Sequence, residues 1–343
     1  MNPAHSFIVG LANLGNTCFL NSCIQVLQHT YELHKIVDTS QSHETIDGVV
    51  VKEWNELRKV MQTQNGTVSP NRFVNTIHQV ARQKGRDLFT GWVQNDIAEF
   101  LLFLIESIHN SLSYKLNIKI NGTPENELDK RAITCYSFLQ DIYSKEYSKL
   151  FDLFYGVYMT EIVHPVTKEL LSCKPEHYFM LDLQIFNEGR ICNHLYDCFD
   201  LFVRPELMSG DNAWFNDKTG EKEDAYRQVN FWSLPNILVL TLKRFSPDGT
   251  QKLQTLIDFP LENLDLSKYV VGYQAQQYKY DLFGVCNHMG GVMGGHYTAF
   301  VKNEGGQWIH YNDHMATPMA AETVISPTAY CLFYRKKIPS RNI

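Results

Sequence analysis

Hydrophobic positions recur at helical spacing through the first third of the chain. Apolar residues that return every three or four positions predict amphipathic helices. The segments with this pattern are 18–27, 51–61, the stretch that follows Ser69-Pro70, and 97–108. A further helix is predicted over residues 133–139. We therefore expect a compact helical region at the start of the chain.

The pattern changes in the second half to short apolar runs that are rich in aromatic and β-branched residues, with turn residues between them. The strands that these runs predict are 155–163, 178–185, 237–245, 280–285, 297–301, 308–311 and 329–334. Helices first and strands later indicate an α+β fold.

Composition narrows the class of protein. The chain has 343 residues, 44% of them hydrophobic and 20% charged, which is typical of a globular protein with a sizeable core. A net charge of −6 without a long basic block argues against nucleic-acid binding. The sequence has neither a secretory signal pattern nor an apolar run of about 18 residues, so we expect no membrane association and an intracellular location, cytoplasmic or nuclear. Eight scattered cysteines fit free thiols in a reducing compartment.

Cys18 is the first candidate for chemistry. It opens a predicted helix and follows Asn13, Gly15, Asn16 and Thr17, which are residue types of turns and helix N-caps. The first turn of a helix favours negative charge, so this position predicts a lowered thiol pKa and a nucleophilic thiolate. The alternative is a small buried residue at a helix start.

A glycine-rich stretch near the end of the chain carries the second candidate. His296 follows Gly294-Gly295 at the start of a predicted strand, and Asn312-Asp313 ends another. A cysteine at a helix start, a histidine and a following Asn or Asp are the parts of a Cys-His-Asn/Asp triad. The alternatives are an ordinary surface or core histidine and an ordinary turn.

A metal site is not predicted. The chain has no Cys-x-x-Cys and no His-Glu-x-x-His. His310 and His314 are four residues apart, but they span a predicted strand end, where this spacing does not place them on one face. We expect neither a metal nor another cofactor.

Four motifs, in the same order along the chain, resemble those of the ubiquitin-specific proteases, which are deubiquitinating cysteine peptidases. The cysteine box is Gly10-Leu11-x-Asn13-x-Gly15-Asn16-x-Cys18-Phe19-x-Asn21-Ser22, and the acidic motif is Gln94-x-Asp96-x-x-Glu99-Phe100. The third motif is Leu234-Pro235-x-x-Leu238-x-x-x-Leu242-Lys243-Arg244-Phe245. The histidine box combines Gly284-Val285-x-x-His288-x-Gly290, Gly294-Gly295-His296-Tyr297-Thr298-Ala299, Trp308 and Tyr311-Asn312-Asp313.

The resemblance implies one catalytic domain over residues 1–343, with a papain-like hand architecture. The helical thumb would take about residues 1–150, the β fingers mainly 151–235 and the antiparallel β palm mainly 236–343. The implied reaction is hydrolysis of the peptide or isopeptide bond after the C-terminal Gly-Gly of ubiquitin. The implied partners are ubiquitin and ubiquitin-conjugated proteins, and we expect a monomer. Two alternatives stay open: an inactive ubiquitin-binding scaffold, or the same chemistry on a ubiquitin-like modifier.

The resemblance also assigns roles to the site residues. Cys18 corresponds to the nucleophile, His296 to the general base and Asn312 to the third member of the triad. Asp313 corresponds to an acidic residue that supports or replaces it. Asn13 corresponds to the side-chain amide that stabilises the oxyanion together with the Cys18 backbone N–H.

A second set of residues would hold the extended ubiquitin tail and its arginines. Asp96 and Glu99 are three residues apart, so a continuous helix would place both carboxylates on one face; the alternative is two solvated helix positions. Gly294 and Gly295 would border a channel that admits only a Gly-Gly end. The predicted tail-binding residues are Gln94, Asp96, Glu99, His288, Gly294, Gly295 and Tyr297.

One feature departs from the family pattern. Many members bind zinc at the fingertips through two Cys-x-x-Cys pairs. The corresponding positions here are His164 with Thr167 and Asn216 with Thr219, and none of them is cysteine. We therefore expect fingers that are held by strand pairing and packing.

Overall fold

The computed structural model describes residues 8–338 apart from 64, 188–189, 247 and 293. The helices of this part of the chain are α1 Cys18–Gln28, α2 Tyr31–Thr39, α3 Ile46–Met61, α4 Asn71–Gln83, α5 Ile97–Leu112, α6 Glu127–Tyr143, α7 Leu150–Phe154 and α8 Leu195–Val203. The strands of the first half are β1 Val9–Leu11, β2 Gly66–Val68, β3 Gly156–Val163, β4 Leu170–Tyr178, β5 Met180–Gln184, β6 Phe186–Asn187 and β7 Arg190–Ile191. Those of the second half are β8 Glu206–Met208, β9 Trp214–Asn216, β10 Glu221–Glu223, β11 Ala225–Ser233, β12 Ile237–Lys243, β13 Leu264–Asp265, β14 Lys279–Gly291, β15 Gly294–Lys302, β16 Trp308–Asn312, β17 Met315–Met319 and β18 Ala329–Lys336.

The helical region forms as its apolar spacing predicts. Helices α1, α3, α4 and α5 pack around a shared core in which Trp54, Phe73 and Phe100 are buried. Helix α6 is longer than the predicted segment, because it begins at the N-cap Asn126, whose side chain accepts a hydrogen bond from the Asp129 N–H.

The main sheet has the strand order β17-β16-β15-β14-β18-β12-β5, and β13 pairs with β14 beside it. Its pairs are antiparallel except that between β12 and β5, which is parallel. Helix α1 lies against this sheet at Gly284, where a Cβ would come within 2.7 Å of Val26. The missing side chain allows the helix that begins at Cys18 to approach the strands closely.

A second sheet has the order β4-β3-β11-β8. The predicted strand 178–185 is wrong in its extent, because Tyr178 ends β4 in this sheet while β5 belongs to the main sheet. Strand β11 was not predicted, because several of its side chains are polar and serve one buried carboxylate. Glu161 on β3 accepts hydrogen bonds from Gln228 at 3.0 Å and Asn230 at 2.7 Å, and from Arg131 of α6 at 2.8 Å.

The β3–β4 turn and the β9–β10 turn carry the positions where zinc ligands were considered in the sequence analysis. Both turns are held by hydrogen bonds. His164 Nδ1 accepts from the backbone N–H groups of Val166 and Thr167 at 3.2 and 3.0 Å. Asn216 Nδ2 and Thr219 Oγ1 both donate to the Glu223 carboxylate, at 3.1 and 2.7 Å. The four side chains at these positions offer no thiolate, and no group of side chains suited to a metal ion is found among the described residues, so they do not fit a zinc ion.

We predict that Asn216→Ala lowers the melting temperature by about 1–3 °C, because it removes the amide that joins the β9–β10 turn to Glu223. Asn212→Ala, an exposed neighbour, is the control and should leave the melting temperature unchanged. Both measurements are made by calorimetry with and without EDTA. A fall in melting temperature on adding EDTA to the unmutated protein would contradict the metal-free fingertip.

The α+β class predicted from the sequence is confirmed by the helices and the two sheets. No helix within the described residues is both long enough and apolar enough to cross a membrane.

Candidate active site

The loop before α1 folds around the side chain of Asn13. Its Oδ1 accepts hydrogen bonds from the backbone N–H groups of Gly15 at 2.9 Å and Thr17 at 3.2 Å. Gly15 and Asn16 have φ angles of +107° and +55°, in the left-handed region that glycine and asparagine adopt most readily. This tight path brings Cys18 to the first position of the helix.

The Cys18 thiol is buried, which corrects one expectation. The sequence predicted a lowered pKa from the helix N-terminus. Burial instead raises the pKa of Cys18, because loss of water disfavours the thiolate, and the Asp313 carboxylate raises it further. The nearby backbone N–H of Tyr297 opposes these effects, because it favours the thiolate and lowers the pKa. In this conformation the sulfur therefore carries its proton at neutral pH.

Tyr297 directly follows the predicted base His296 on β15, and this strand packs against α1, the helix that begins at Cys18. The imidazole Nε2 lies 2.7 Å from Asn312 Oδ1 at the end of β16. An amide oxygen is only an acceptor, so Nε2 carries the proton and Nδ1 carries the lone pair. Among the hydrogen bonds of the described residues, the imidazole is joined to Asn312 and not to the Cys18 thiol.

Asp313 connects the cysteine loop to this histidine. It adopts a φ of +50° after β16, and its Oδ2 lies 4.0 Å from His296 Nε2. The same oxygen accepts a hydrogen bond from Asn13 Nδ2 at 2.9 Å, and Oδ1 accepts from Asn21 Nδ2 at 2.8 Å. Its backbone oxygen accepts from the Leu11 N–H at 2.8 Å. The carboxylate therefore holds the predicted oxyanion donor and the start of α1.

Asn21 received no role in the sequence analysis. The available signal was a polar side chain three residues after Cys18, on a helix whose residues are all buried. Such a side chain needs a hydrogen-bond partner, and here that partner is Asp313.

Gln94 fixes the predicted glycine border of the site. Its amide donates to the Gly295 oxygen and accepts from the Gly295 N–H, both at 2.9 Å. A Cβ on Gly294 would lie 2.8 Å from Gln94 Oε1, and one on Gly295 would overlap the His288 ring and the Met289 oxygen. Contacts within this chain therefore require glycine at position 295, whereas at position 294 the Gln94 side chain could move aside and the φ of +154° is what favours glycine.

Asp96 and Glu99 line one cleft, but Asp96 lies just before α5 as its N-cap and not within the helix as predicted. Its Oδ1 accepts the N–H groups of Ala98 and Glu99, and its Oδ2 accepts the hydroxyl groups of Tyr330 at 2.7 Å and Tyr297 at 3.3 Å. The predicted free carboxylate is thus held by its own chain.

His288 and Tyr297 form part of the support behind this border. The two rings lie 4.7 Å apart, and both residues are buried. Burial lowers the pKa of His288 to about 4, with a further contribution from the Lys252 charge. His288 is therefore neutral and lies beneath Gly295, and its role in binding the tail stays a prediction.

Glu99 remains exposed and lines a cleft of about 410 Å³ between α5 and the main sheet. Asp182 of β5, which the sequence analysis missed, lines the same cleft, as do Lys243 and Phe245. Partial burial raises the pKa of Glu99, and the Asp96 charge raises it further. The cleft therefore presents carboxylates beside apolar walls. No group of side chains suited to holding a metal ion is found among the described residues.

Comparison with known proteins places this geometry in a family. A family model described as ubiquitin carboxyl-terminal hydrolase matches residues 9–334. The chain belongs to the ubiquitin carboxyl-terminal hydrolase family. The family predicted from the four sequence motifs is thus confirmed.

Individual members of the ubiquitin carboxyl-terminal hydrolase family resemble nearly the whole chain. Human ubiquitin carboxyl-terminal hydrolase 2 is 31% identical over 360 residues, which cover 97% of this chain and 56% of the relative. The chicken protein of the same name is 31% identical over 352 residues, covering 97% of this chain and 94% of the relative. The chain thus spans little more than half the length of the human relative.

Solved structures of the same family share the fold. A SAGA DUB module that contains Ubp8, Sgf11, Sus1 and Sgf73 and is bound to monoubiquitin includes a chain that matches with a TM-score of 0.70 and 26% identity. The match covers 98% of this chain and 71% of the matched chain. A yeast SAGA DUB module with a variant Sgf73 has a TM-score of 0.71 and 25% identity, over 98% of this chain and 70% of that chain.

Proposed function

We propose that the protein is a deubiquitinating thiol hydrolase that cleaves the bond after the C-terminal Gly-Gly of ubiquitin. The observation that supports the proposal is that residues near the start of the chain and residues near its end fold close together. The backbone N–H of Tyr297, the residue after His296, acts on the Cys18 thiol and favours its thiolate, while the His296 imidazole is hydrogen-bonded to Asn312. Acyl transfer through a covalent intermediate requires a nucleophile, a base and an orienting group. The packing of α1 against β15, and the hydrogen bonds that join Asp313 to Asn13 and Asn21, support this assignment.

The first half-reaction uses the free Nδ1 of His296. Nδ1 takes the thiol proton as the sulfur attacks the glycine carbonyl carbon, so a C–S bond forms and the carbonyl π electrons move to oxygen. The imidazolium then returns the proton to the leaving lysine amine as the C–N bond breaks, which leaves a thioester. Catalytic hydrogen bonds of this kind are often long in the free enzyme and shorten when substrate binds.

The second half-reaction releases ubiquitin. Nδ1 takes a proton from water as the water oxygen attacks the thioester carbon, and the imidazolium returns this proton to the sulfur as the C–S bond breaks. The thiol is regenerated, and the carboxylic acid formed at the ubiquitin C-terminus loses its proton to solvent. In both half-reactions the tetrahedral oxyanion would lie near the Cys18 N–H and the Asn13 amide, which Asp313 holds by one of its two N–H groups.

The cleft beside α5 supports the choice of substrate. Glu99 and Asp182 line it, and an extended tail that carries arginines would form charge-assisted hydrogen bonds with such carboxylates. Asp96 would contribute through its charge and by holding Tyr297 and Tyr330 in place.

The direct test is capture by ubiquitin that carries a C-terminal electrophile. The proposal expects one covalent adduct per chain by intact-mass spectrometry, absent in Cys18→Ala and unchanged in Cys23→Ala, a buried cysteine on the same helix. Ubiquitin binding without capture by the unmutated protein would favour the inactive scaffold. Capture only of a ubiquitin-like probe would favour a different modifier.

We predict that Asp313 acts through Asn13. Asn13→Ala should lower kcat by about 10²- to 10³-fold, as expected for loss of one oxyanion donor. Asp313→Ala should also lower kcat, and the double variant should be no slower than Asn13→Ala alone, because the carboxylate holds the amide that is already missing.

The single and double variants of Asn13 and Asp313 form a double-mutant cycle. A second cycle, which pairs Asn13→Ala with Asn312→Ala, serves as the comparison, because Asn312→Ala removes the acceptor of the imidazole. Its effect should multiply with that of Asn13→Ala, since one side chain orients the imidazole and the other stabilises the oxyanion. Steady-state kinetics on ubiquitin with a fluorogenic C-terminal amide measure both cycles. Multiplicative effects of Asn13→Ala and Asp313→Ala would instead place Asp313 in direct support of His296.

A further inference from the structure

A separate groove of about 990 Å³ lies at the opposite end of the strand that carries the predicted base. Lys302, the last residue of β15, lines it and follows His296 by six positions, which is about 20 Å along the strand. Helices α2 and α7 also line the groove, through Ile36 and Leu153. The groove is therefore distinct from the candidate active site.

The groove concentrates positive charge on a protein whose net charge is −6. Three acidic residues line it, namely Glu32, Asp152 and Asp281. Its six basic residues are Lys35, Lys149, Lys302, Arg335, Lys336 and Lys337. Since the rest of the surface must be strongly acidic, this local excess of cations favours an anionic ligand.

Half of these cations have carboxylate partners within the chain. Arg335 pairs with Glu32 at 2.7 Å. Lys302 pairs with Glu262 at 3.2 Å, and Lys337 with Asp281 at 3.3 Å. In the described part of the chain no ion pair is formed by Lys35, Lys149 or Lys336. These three lysines are available to an incoming anion.

Of the three lysines, Lys336 is the best suited to bind an anion. Its ammonium group lies 4.3 Å from the centre of the Tyr278 ring, and the side chain is only partly exposed. Burial lowers the pKa of Lys336, because the charge has lost water without gaining a carboxylate. A bound anion would replace that lost hydration.

The floor of the groove is apolar. Ile36, Leu282 and Phe283 line it, and Arg335 stacks over Phe283 with its guanidinium carbon 4.3 Å from the ring centre. A small inorganic anion would leave this floor uncovered. A peptide that carries both carboxylates and a bulky apolar side chain would contact the cations and the floor together.

We infer that this basic groove, lined by Lys35, Lys149 and Lys336 over Ile36 and Phe283, binds an acidic peptide segment of a partner protein. The carboxylates of the segment pair with the three lysines, and a large apolar side chain between them lies on the floor. The inference is independent of the proposed hydrolase activity, because the groove shares no residue with the candidate active site.

The test uses the full chain and a fluorescein-labelled peptide, Glu-Asp-Phe-Leu-Asp-Glu, in fluorescence anisotropy at physiological salt. Saturable binding with one site per chain is expected. The double variant Lys35→Glu/Lys336→Glu should weaken it about tenfold or more, because two attractive contacts become repulsive. The matched control is Lys52→Glu/Lys119→Glu, two exposed lysines outside the groove that give the same change in net charge.

The outcomes separate the proposal from non-specific attraction. Unchanged affinity in the control, together with loss of binding by a Glu-Asp-Ser-Ser-Asp-Glu peptide, supports the inference. Equal weakening in both double variants, or no saturable binding, overturns it. Binding of an oligothymidylate but not the peptide, lost in the groove variant, would assign the groove to nucleic acid and also overturn it.

Discussion

Replacing His296 with alanine is expected to lower kcat by about 10²- to 10⁴-fold, which is the usual contribution of a general base. The imidazole hydrogen-bonds to Asn312, and its free Nδ1 is the atom proposed to accept the thiol proton. Because burial raises the pKa of Cys18, the thiol does not ionise by itself at neutral pH and depends on this base. Ubiquitin affinity should change little, since the substitution alters a reacting group.

The measurement combines single-turnover kinetics with binding of ubiquitin by calorimetry. His314→Ala is the matched control, because its imidazole is exposed and lies just beyond the same turn. It should retain activity within a few-fold of the unmutated protein. Near-normal turnover of the His296 variant would remove this residue from the mechanism.

Local patterns predicted those elements whose apolar spacing is set by one buried face. Helix α1 begins at Cys18 and helix α5 at Ile97, as the sequence analysis expected. Strand β11 was not predicted, because its spacing is not set by one apolar buried face. Its polar side chains are directed to the buried Glu161, a contact with a distant strand that no local pattern contains.

The N-cap role of Asp96 could have been predicted from the sequence. An aspartate directly before an apolar helical run is a typical N-cap, and this spacing predicts bonds to the next turn and not an open carboxylate. Its second oxygen is occupied by tyrosines from β15 and β18, which only the folded sheet brings together.

The electrostatics of the site could not be obtained from the sequence. The expected fall in the Cys18 pKa relied on the helix terminus, an effect of about 1 kcal/mol at exposed positions. Desolvation is larger for a buried thiol and depends on how the helix meets the main sheet. The packing of the Cys18 helix against the His296 strand is likewise tertiary, and the sequence indicated it only through residue types that make up a triad and through the family motifs.

Gly10→Ala is expected to lower kcat/KM by about 10²-fold, although Gly10 touches no predicted catalytic atom, because small misplacements of catalytic groups have effects of this size. A Cβ at Gly10 would overlap the His314 carbonyl oxygen and lie 2.7 Å from its Cα. Both are backbone atoms, so the turn that carries Asp313 must shift. The Leu11 N–H that donates to the Asp313 oxygen at 2.8 Å would shift with it. Overpacking of this kind typically also destabilises a protein by about 1–3 kcal/mol.

Gly91→Ala is the matched control for this substitution, because a Cβ there meets nothing within 4 Å and the backbone is not left-handed. Calorimetry first establishes that both variants are folded at the assay temperature, and kcat/KM is then measured well below the lower melting temperature. The control should match the unmutated protein in both properties. An active Gly10 variant would mean that the Asp313 turn is not rigidly coupled to the cysteine loop. The proposed action of Asp313 on Asn13 would then lose its structural basis, because that hydrogen bond relies on the same close approach of the two loops.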